Sequence, residues 1–255
     1  MAMPLSAQAL KTRFHSTAEN RNLNGAIGIS AFINVYNTLM PMQKMKLEQI
    51  TEGRIKNYMD HGSFITIAYA YPSKAIESIA VETPDGYDKT RWNYYAGWYH
   101  KLNQALNETV ESLAVEASGI SIPATTSGVA TKISHVEEYY PRVVSHRVGA
   151  ELSGVGWRGK NELIVHPEYS CAIRLASIIT PYRIEPTKPL KQDCGECQAC
   201  QNVCPFLKHK DRLDNYREQC RRYINSLELD DEVCGKCIKA CVFDSIYADK
   251  FRLIN

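Results

Sequence analysis

Apolar positions recur at helical spacing most clearly over residues 90–118, where Leu102, Ala105, Leu106, Val110, Leu113, Ala114 and Ala117 form one stripe and Gly119 closes it. Residues 5–18 carry a weaker pattern of the same period and predict a short amphipathic helix. Residues 25–32, rich in glycine, isoleucine and alanine, read as a buried strand, and 63–72 as a β-branched and aromatic strand stopped by proline. The stretch Thr83-Pro-Asp-Gly86 has turn chemistry. Polar helices are predicted from Pro41 to about Asp60, ending near Gly62, and from Pro141 to near Ser153. Between them, 120–123 predicts a short strand, and small residues through Ala130 a loop. A glycine-dense turn, 154–161, leads into a strand predicted over 162–165. Residues 171–180 are largely apolar, and the proline-punctuated stretch 181–189 reads as a connection.

Two of these stretches are unusual. The long helix opens with Arg91-Trp-Asn-Tyr-Tyr-Ala-Gly-Trp-Tyr-His100, five aromatics that suit either a core patch or a wall against a planar ligand. The turn Gly154-Val-Gly-Trp-Arg-Gly-Lys-Asn161 implies backbone at positive φ or in close approach to something. It matches neither the dinucleotide nor the P-loop glycine pattern.

At 255 residues, with 44% hydrophobic and 23% charged positions, the chain fits one large domain or a medium and a small one. A formal net charge of +2 leaves no global footprint for nucleic acid or anionic membrane. No apolar run approaches the ~20 residues that span a bilayer. The first ten residues lack a signal-peptide pattern, so a cytoplasmic location is expected, with no membrane partner.

The chemistry gathers in the last quarter. Cys194-Gly-Glu-Cys197-Gln-Ala-Cys200-Gln-Asn-Val-Cys204-Pro205 has the bacterial ferredoxin spacing for a [4Fe–4S] cubane, whose fourth cysteine ligates the other cluster where two are present. The second run is Cys234-Gly-Lys-Cys237-Ile-Lys-Ala-Cys241, short of one cysteine that Cys220 supplies from upstream. Crossed ligation then assigns Cys194, Cys197, Cys200 and Cys241 to cluster one, and Cys204, Cys220, Cys234 and Cys237 to cluster two. Paired structural zinc sites and a disulfide scaffold are the alternatives. Cys171 is left over, a small core hydrophobe or a thiol near a cofactor. His15, His61, His135, His146, His166 and His209 show no mutual ligand spacing. Lys208, Lys210, Arg212, Arg217, Arg221 and Arg222 make the cysteine region locally basic, a solvated face or a dock for an acidic electron donor.

The glycine turn, Leu163, Pro167, Leu175, Thr180 and the two cysteine runs together resemble epoxyqueuosine reductase and the related reductive dehalogenases. The family's G-L-G-W-x-G-K-N stands here as 154–161, and the likeness extends to Tyr69-Ala-Tyr-Pro72 and Tyr99-His100. It implies an α+β protein: a nitroreductase-like, cobalamin-binding α/β domain over 1–185, then a ferredoxin-like domain with two [4Fe–4S] clusters over 186–255. It also implies corrin contacts from Gly154, Gly156, Trp157, Gly159, Lys160, Asn161, Trp98 and Cys171. Three departures stand out. Trp98 replaces the family's acidic proton donor and has no labile proton to give. The sequence ends shortly after Cys241, without the helical repeats that help hold transfer RNA. Ser170-Cys171 replaces a glycine-serine pair.

The resemblance implies a cobalamin-dependent iron–sulfur oxidoreductase, with electrons passing from an external ferredoxin or flavodoxin through two clusters to a corrinoid that reduces an organic substrate. Tyr94, Tyr99, His100 and Tyr139 are the candidate proton donors. An electron-transfer protein that reduces a corrinoid to Co(I) is the second reading. Epoxyqueuosine reduction in transfer RNA, with another acid, is the third; Trp98 and the missing repeats count against that substrate.

Overall fold

The computed structural model describes residues 6–125 and 132–253. The loop predicted through Ala130 therefore lies, beyond Thr125, outside the described residues, as does residue 5 of the first predicted helix.

The frame is a four-stranded antiparallel sheet in the order β1-β2-β8-β5. Strand β1 is Gly25–Ala31, β2 Ser63–Ala70, β5 Ile120–Ile122 and β8 Ile173–Thr180. All eight residues of β2 are buried, because both faces of the sheet are covered. Ile65, Ile67 and Tyr69 point to one face, where α1 (Ala7–Asn20) and α6 (Lys89–Glu116) pack. Phe64 lies among Phe32, Val35 and Val148 on the other face, where α2 (Phe32–Thr38) and α7 (His146–Leu152) pack. Gly149 lets α7 lie close: a Cβ there would stand 2.4 Å from the ring of Phe64.

Helix α6 begins at Asp88, whose carboxylate accepts the Arg91 N–H at 2.9 Å. Its apolar stripe is the one read from sequence, buried from Trp92 to Ala114. Gly97 interrupts the exposed side, and a Cβ there would meet nothing within 4 Å. Gly97→Ala should therefore stabilise the protein by about 0.5–1 kcal/mol, read as a higher denaturant midpoint at unchanged slope. The short helix α5 (Ser73–Glu77) follows β2, and β3 (Glu82–Thr83) turns through Pro84-Asp85 into β4 (Gly86–Tyr87).

Three predicted elements differ. The helix from Pro41 is α3 (Pro41–Ile50) and stops there, since Glu52 and Gly53 take φ of 52° and 76°; only α4 (Lys56–Met59) remains of its second half. Pro141 does not start a helix but lies within a 3₁₀ segment, Val136–Arg142; Val143 is extended, and α7 begins only at His146. The strand expected at Glu162 starts at Ile164, because Glu162 has a φ of 64°. Within the glycine turn, β6 (Trp157–Arg158) pairs with β7 (Ile164–Val165).

After the connection come α8 (Ala199–Val203), α9 (Pro205–Lys208), α10 (Tyr216–Leu227) and α11 (Lys236–Phe243), then a 3₁₀ turn, Ala248–Lys250. These do not form a separate core. Leu227, Val233 and Val242 join the hydrophobic cluster beneath α6, and the Trp92 indole N–H donates to the Cys234 carbonyl at 2.7 Å. Buried Glu218 accepts from Arg221, Arg222 and the Val136 N–H, tying α10 to the 3₁₀ segment. No described helix is long and apolar enough to cross a membrane.

Candidate cluster and cavity site

The eight cysteines of the last quarter are all free thiols in two neighbourhoods. Cys200 is pushed up to about 11 by burial and by Cys241, Cys194 and Cys197. Cys220 is pushed up to about 12 by burial, then by Cys234 and Cys204. Cys237 is raised by burial, Cys234, Cys220 and Cys204, and it also feels Cys200, so the two neighbourhoods adjoin. Cys241 thus stands with the first run, although its helix carries the second. Four crowded thiols cannot ionise together in water-poor surroundings unless a cationic centre holds them. Among the described residues no three His, Cys, Asp or Glu side chains are gathered closely enough to hold one metal ion; a zinc ion would have to draw its sulfurs onto a point, whereas a cubane spreads its ligands over four irons.

The glycine turn meets the first run. Trp157 packs in one cluster with Cys171, Cys194 and Cys241, and the Lys160 ammonium donates to the Gly195 carbonyl at 2.6 Å. The Asn161 amide donates to the Cys171 sulfur at 3.3 Å. Cys171 hydrogen-bonds to Cys241, and that bond raises the Cys171 thiol, with burial adding to it, and lowers the Cys241 thiol against burial. The buried Trp157 indole N–H has no hydrogen-bond partner among the described residues, and the Ser170 hydroxyl lies beside Cys241 and helps lower its thiol. A buried donor without an acceptor, in the group that also holds Cys194 and Cys241, fits a core bearing inorganic sulfides.

The close approaches of the glycines are to the chain's own backbone. Gly154 has a φ of 72°, and a Cβ there would lie 2.1 Å from the Lys188 carbonyl oxygen in the connection. A Cβ on Gly156 would lie 2.5 Å from the Val165 carbonyl oxygen. Both possibilities left open by the sequence, positive φ and close approach, coincide at Gly154. At Gly159 the nearest atom to an added Cβ is the Asn161 side-chain oxygen, at 2.7 Å.

Beside the second neighbourhood lies a cavity of about 630 Å³, with Cys204, Cys220, Cys234 and Cys237 in its lining. The same lining includes Tyr71, Tyr95, Tyr99 and Tyr139 together with His146, Arg147 and Arg174. Of the aromatics that open α6, Trp92, Tyr95 and Tyr99 are buried on the core side, and the last two also line the cavity. The Tyr99 hydroxyl donates to the Thr125 carbonyl at 3.1 Å, and the Arg174 guanidinium lies 4.2 Å from the Tyr99 ring centre. Burial raises Tyr139 and Tyr95 above the usual phenol range.

Among the residues singled out from sequence, the cavity gathers Tyr99, Tyr139, Asn161 and Cys171. Trp157 and Lys160 stand at the first run instead. Tyr94 and His100 are exposed on α6, and half-buried Trp98 has the Lys101 ammonium 5.1 Å from its ring centre. Arg174 escaped sequence reasoning, and Tyr71 and His146 were named there without a role in a site; a lone arginine within the apolar run 171–180 was the available signal.

His146 is locked neutral. Its Nε2–H donates to the Pro123 carbonyl at 3.0 Å, and its Nδ1 accepts from the Ser177 hydroxyl at 2.9 Å. Burial lowers its pKa to about 4. Between that value and the ordinary one near 6.5, the unfolded chain binds a proton that the folded chain refuses. Stability from this group is thus complete above about pH 6.5 and is lost as pH falls towards 4, by about 1.4 kcal/mol per pH unit. His146→Gln should flatten the dependence of the urea midpoint on pH between 7 and 5.

No family model matches the chain. Among curated proteins it is 45% identical over 56 residues to an epoxyqueuosine reductase of Listeria monocytogenes, which is 22% of this chain and 15% of that protein. To that of Lactococcus garvieae it is 28% identical over 151 residues, 57% of this chain and 38% of that one. To that of Escherichia coli it is 30% identical over 83 residues, 32% and 21% respectively. The chain thus matches well under half the length of each of these relatives. Among solved structures it is similar to epoxyqueuosine reductase from Streptococcus thermophilus, with a TM-score of 0.48 and 18% identity over 96% of this chain and 68% of that one. An epoxyqueuosine reductase with an epoxyqueuosine-modified tRNA stem loop matches with a TM-score of 0.42 and 20% identity over 78% and 53%. The chain is similar to epoxyqueuosine reductases.

Proposed function

We propose that this chain is an iron–sulfur oxidoreductase of the epoxyqueuosine reductase type. In this reading two [4Fe–4S] clusters, on Cys194, Cys197, Cys200 and Cys241 and on Cys204, Cys220, Cys234 and Cys237, pass single electrons to a ligand in the cavity. The observation that carries it is the sharing of one chamber: the four thiols of the second cluster line the same cavity as Tyr99, Tyr139 and Arg174. An electron source and groups that hold protons thereby face the same ligand. Residues 1–185 would then be the nitroreductase-like, ligand-holding domain and 186–255 the ferredoxin-like one.

The names of the curated relatives make epoxyqueuosine the first substrate to try, including in transfer RNA, against the expectation drawn from Trp98. Tyr99 and Tyr139 take the place of the absent acid, since Tyr94 and His100 lie on the surface. A second reading adds a corrinoid as the acceptor between clusters and substrate. The tyrosine-walled cavity favours it, although about 630 Å³ lies within the range of drug-sized ligands and a corrinoid would stand partly in the mouth. When bound, a corrinoid supplies a strongly reducing cobalt; Tyr71, Tyr95 and Tyr99 are the residues that would flank it.

Oxygen-free reconstitution with iron, sulfide and cobalamin, followed by metal analysis and incubation with epoxyqueuosine-bearing RNA and a chemical reductant, tests both readings. About eight irons per chain are expected. Retained cobalt decides for the corrinoid, and formation of queuosine for the substrate. A colourless, zinc-loaded protein would sink the whole proposal.

A further inference from the structure

We infer that Arg174 is the anchor of an oxyanion-binding site, and that the cavity's ligand carries a carboxylate or phosphate group at that point. The inference rests on the cavity being the ligand chamber and adds the charge of what enters it.

Arg174 projects from β8 into the cavity. Its Nε donates to the Asn103 side-chain oxygen at 2.9 Å and its Nη2 to the Thr125 carbonyl at 2.6 Å. These bonds and the Tyr99 ring fix the plane of the guanidinium and leave Nη1 without an acceptor among the described residues. Among the described residues no carboxylate pairs with it. Its electrostatic neighbours are instead Tyr99, Tyr71, Tyr95 and Tyr139. Burial keeps Tyr71, Tyr95 and Tyr139 in the neutral phenol form, so none of these three supplies the missing negative charge. No cluster thiol is among its leading electrostatic neighbours either.

Cations also outnumber anions in the rest of the lining, with Arg147, Arg217, Arg221 and Lys236 against Glu162 and Glu232. Arg147 spends its Nη1 on the Glu162 backbone carbonyl. The Glu162 carboxylate is shared among Arg158, Lys210 and Arg217. His146, close by, is held neutral and adds no anion. An arginine does not shed its proton, and an enclosed cation without a partner is costly. A positioned guanidinium with a free edge is the arrangement that recognises carboxylate and phosphate.

The test uses the full chain with its iron reconstituted, and follows the melting temperature as inorganic phosphate or benzoate is added at constant ionic strength. Wild type should be stabilised by at least one of them, benzoate alone marking a carboxylate ligand and phosphate alone a phosphorylated one. Arg174→Met should weaken that binding at least tenfold with iron content unchanged, and Arg174→Lys should keep part of it. Should the methionine variant not fold, protection of Arg174 from phenylglyoxal by the same anions, read by peptide mapping, gives the result in wild type. No stabilisation by either anion in wild type, equal stabilisation in the variant, or no protection overturns the assignment. Failure here with about eight irons retained leaves the cluster reading standing, while loss of iron would strike that reading instead.

Discussion

Replacing Cys241 with alanine should remove the cluster of the first run, not that of the second, and iron should fall from about eight to about four per chain. Position in sequence argues the opposite, since Cys241 shares α11 with Cys237. The neighbourhoods decide: Cys241 is the first thiol to act on Cys200, whereas Cys237 answers to Cys234, Cys220 and Cys204. Pairs of substitutions make the outcome decisive. Cys194→Ala combined with Cys241→Ala should cost no more iron than either alone, because both strip the same cluster. Cys194→Ala combined with Cys204→Ala should empty the protein. If the first pair empties it and the second spares about four irons, ligation is not crossed.

Gly154→Ala should be strongly destabilising for a change of one methyl group. The residue sits at a φ of 72°, and its new methyl would stand 2.1 Å from a backbone carbonyl oxygen of Lys188. Left-handed backbone costs an alanine about 1–2 kcal/mol, and an overpacked contact adds about 1–3 kcal/mol. A flexible side chain could step aside, but a carbonyl in the connection can move only with its chain. A loss of about 3 kcal/mol, or roughly 10 °C in melting temperature, is expected for a protein of this size. A change under about 1 kcal/mol would mean that the connection is not held against the turn as described.

The parts of this molecule that could be read from sequence are those with a local cause. The stripe of α6 follows from side-chain spacing alone, and β2 from an unbroken run of β-branched and aromatic residues. The cysteines were legible because cluster ligation imposes short, fixed intervals. The stop of α3 was missed because Glu52 takes a left-handed conformation that its side chain does not advertise. The cavity was invisible for another reason: Tyr71, Tyr139, Arg174 and Cys220 come from distant parts of the chain, and only the sheet register and the docking of α10 bring them together. The glycine turn shows a middle case. Its need for glycine was plain, but the partner that demanded it, a carbonyl of the connection, was not.

Leu227, Val233 and Val242 close the underside of α6, and the carbonyl of Cys234 holds the Trp92 indole. During synthesis the sheet leaves the ribosome with that flank bare, and it gains its cover only when the cysteine-bearing segments settle. If those segments carry the proposed clusters, cofactor loading and the last step of folding would be one event. Iron starvation would then be felt as proteolysis of the entire polypeptide rather than as an accumulating, intact apoprotein.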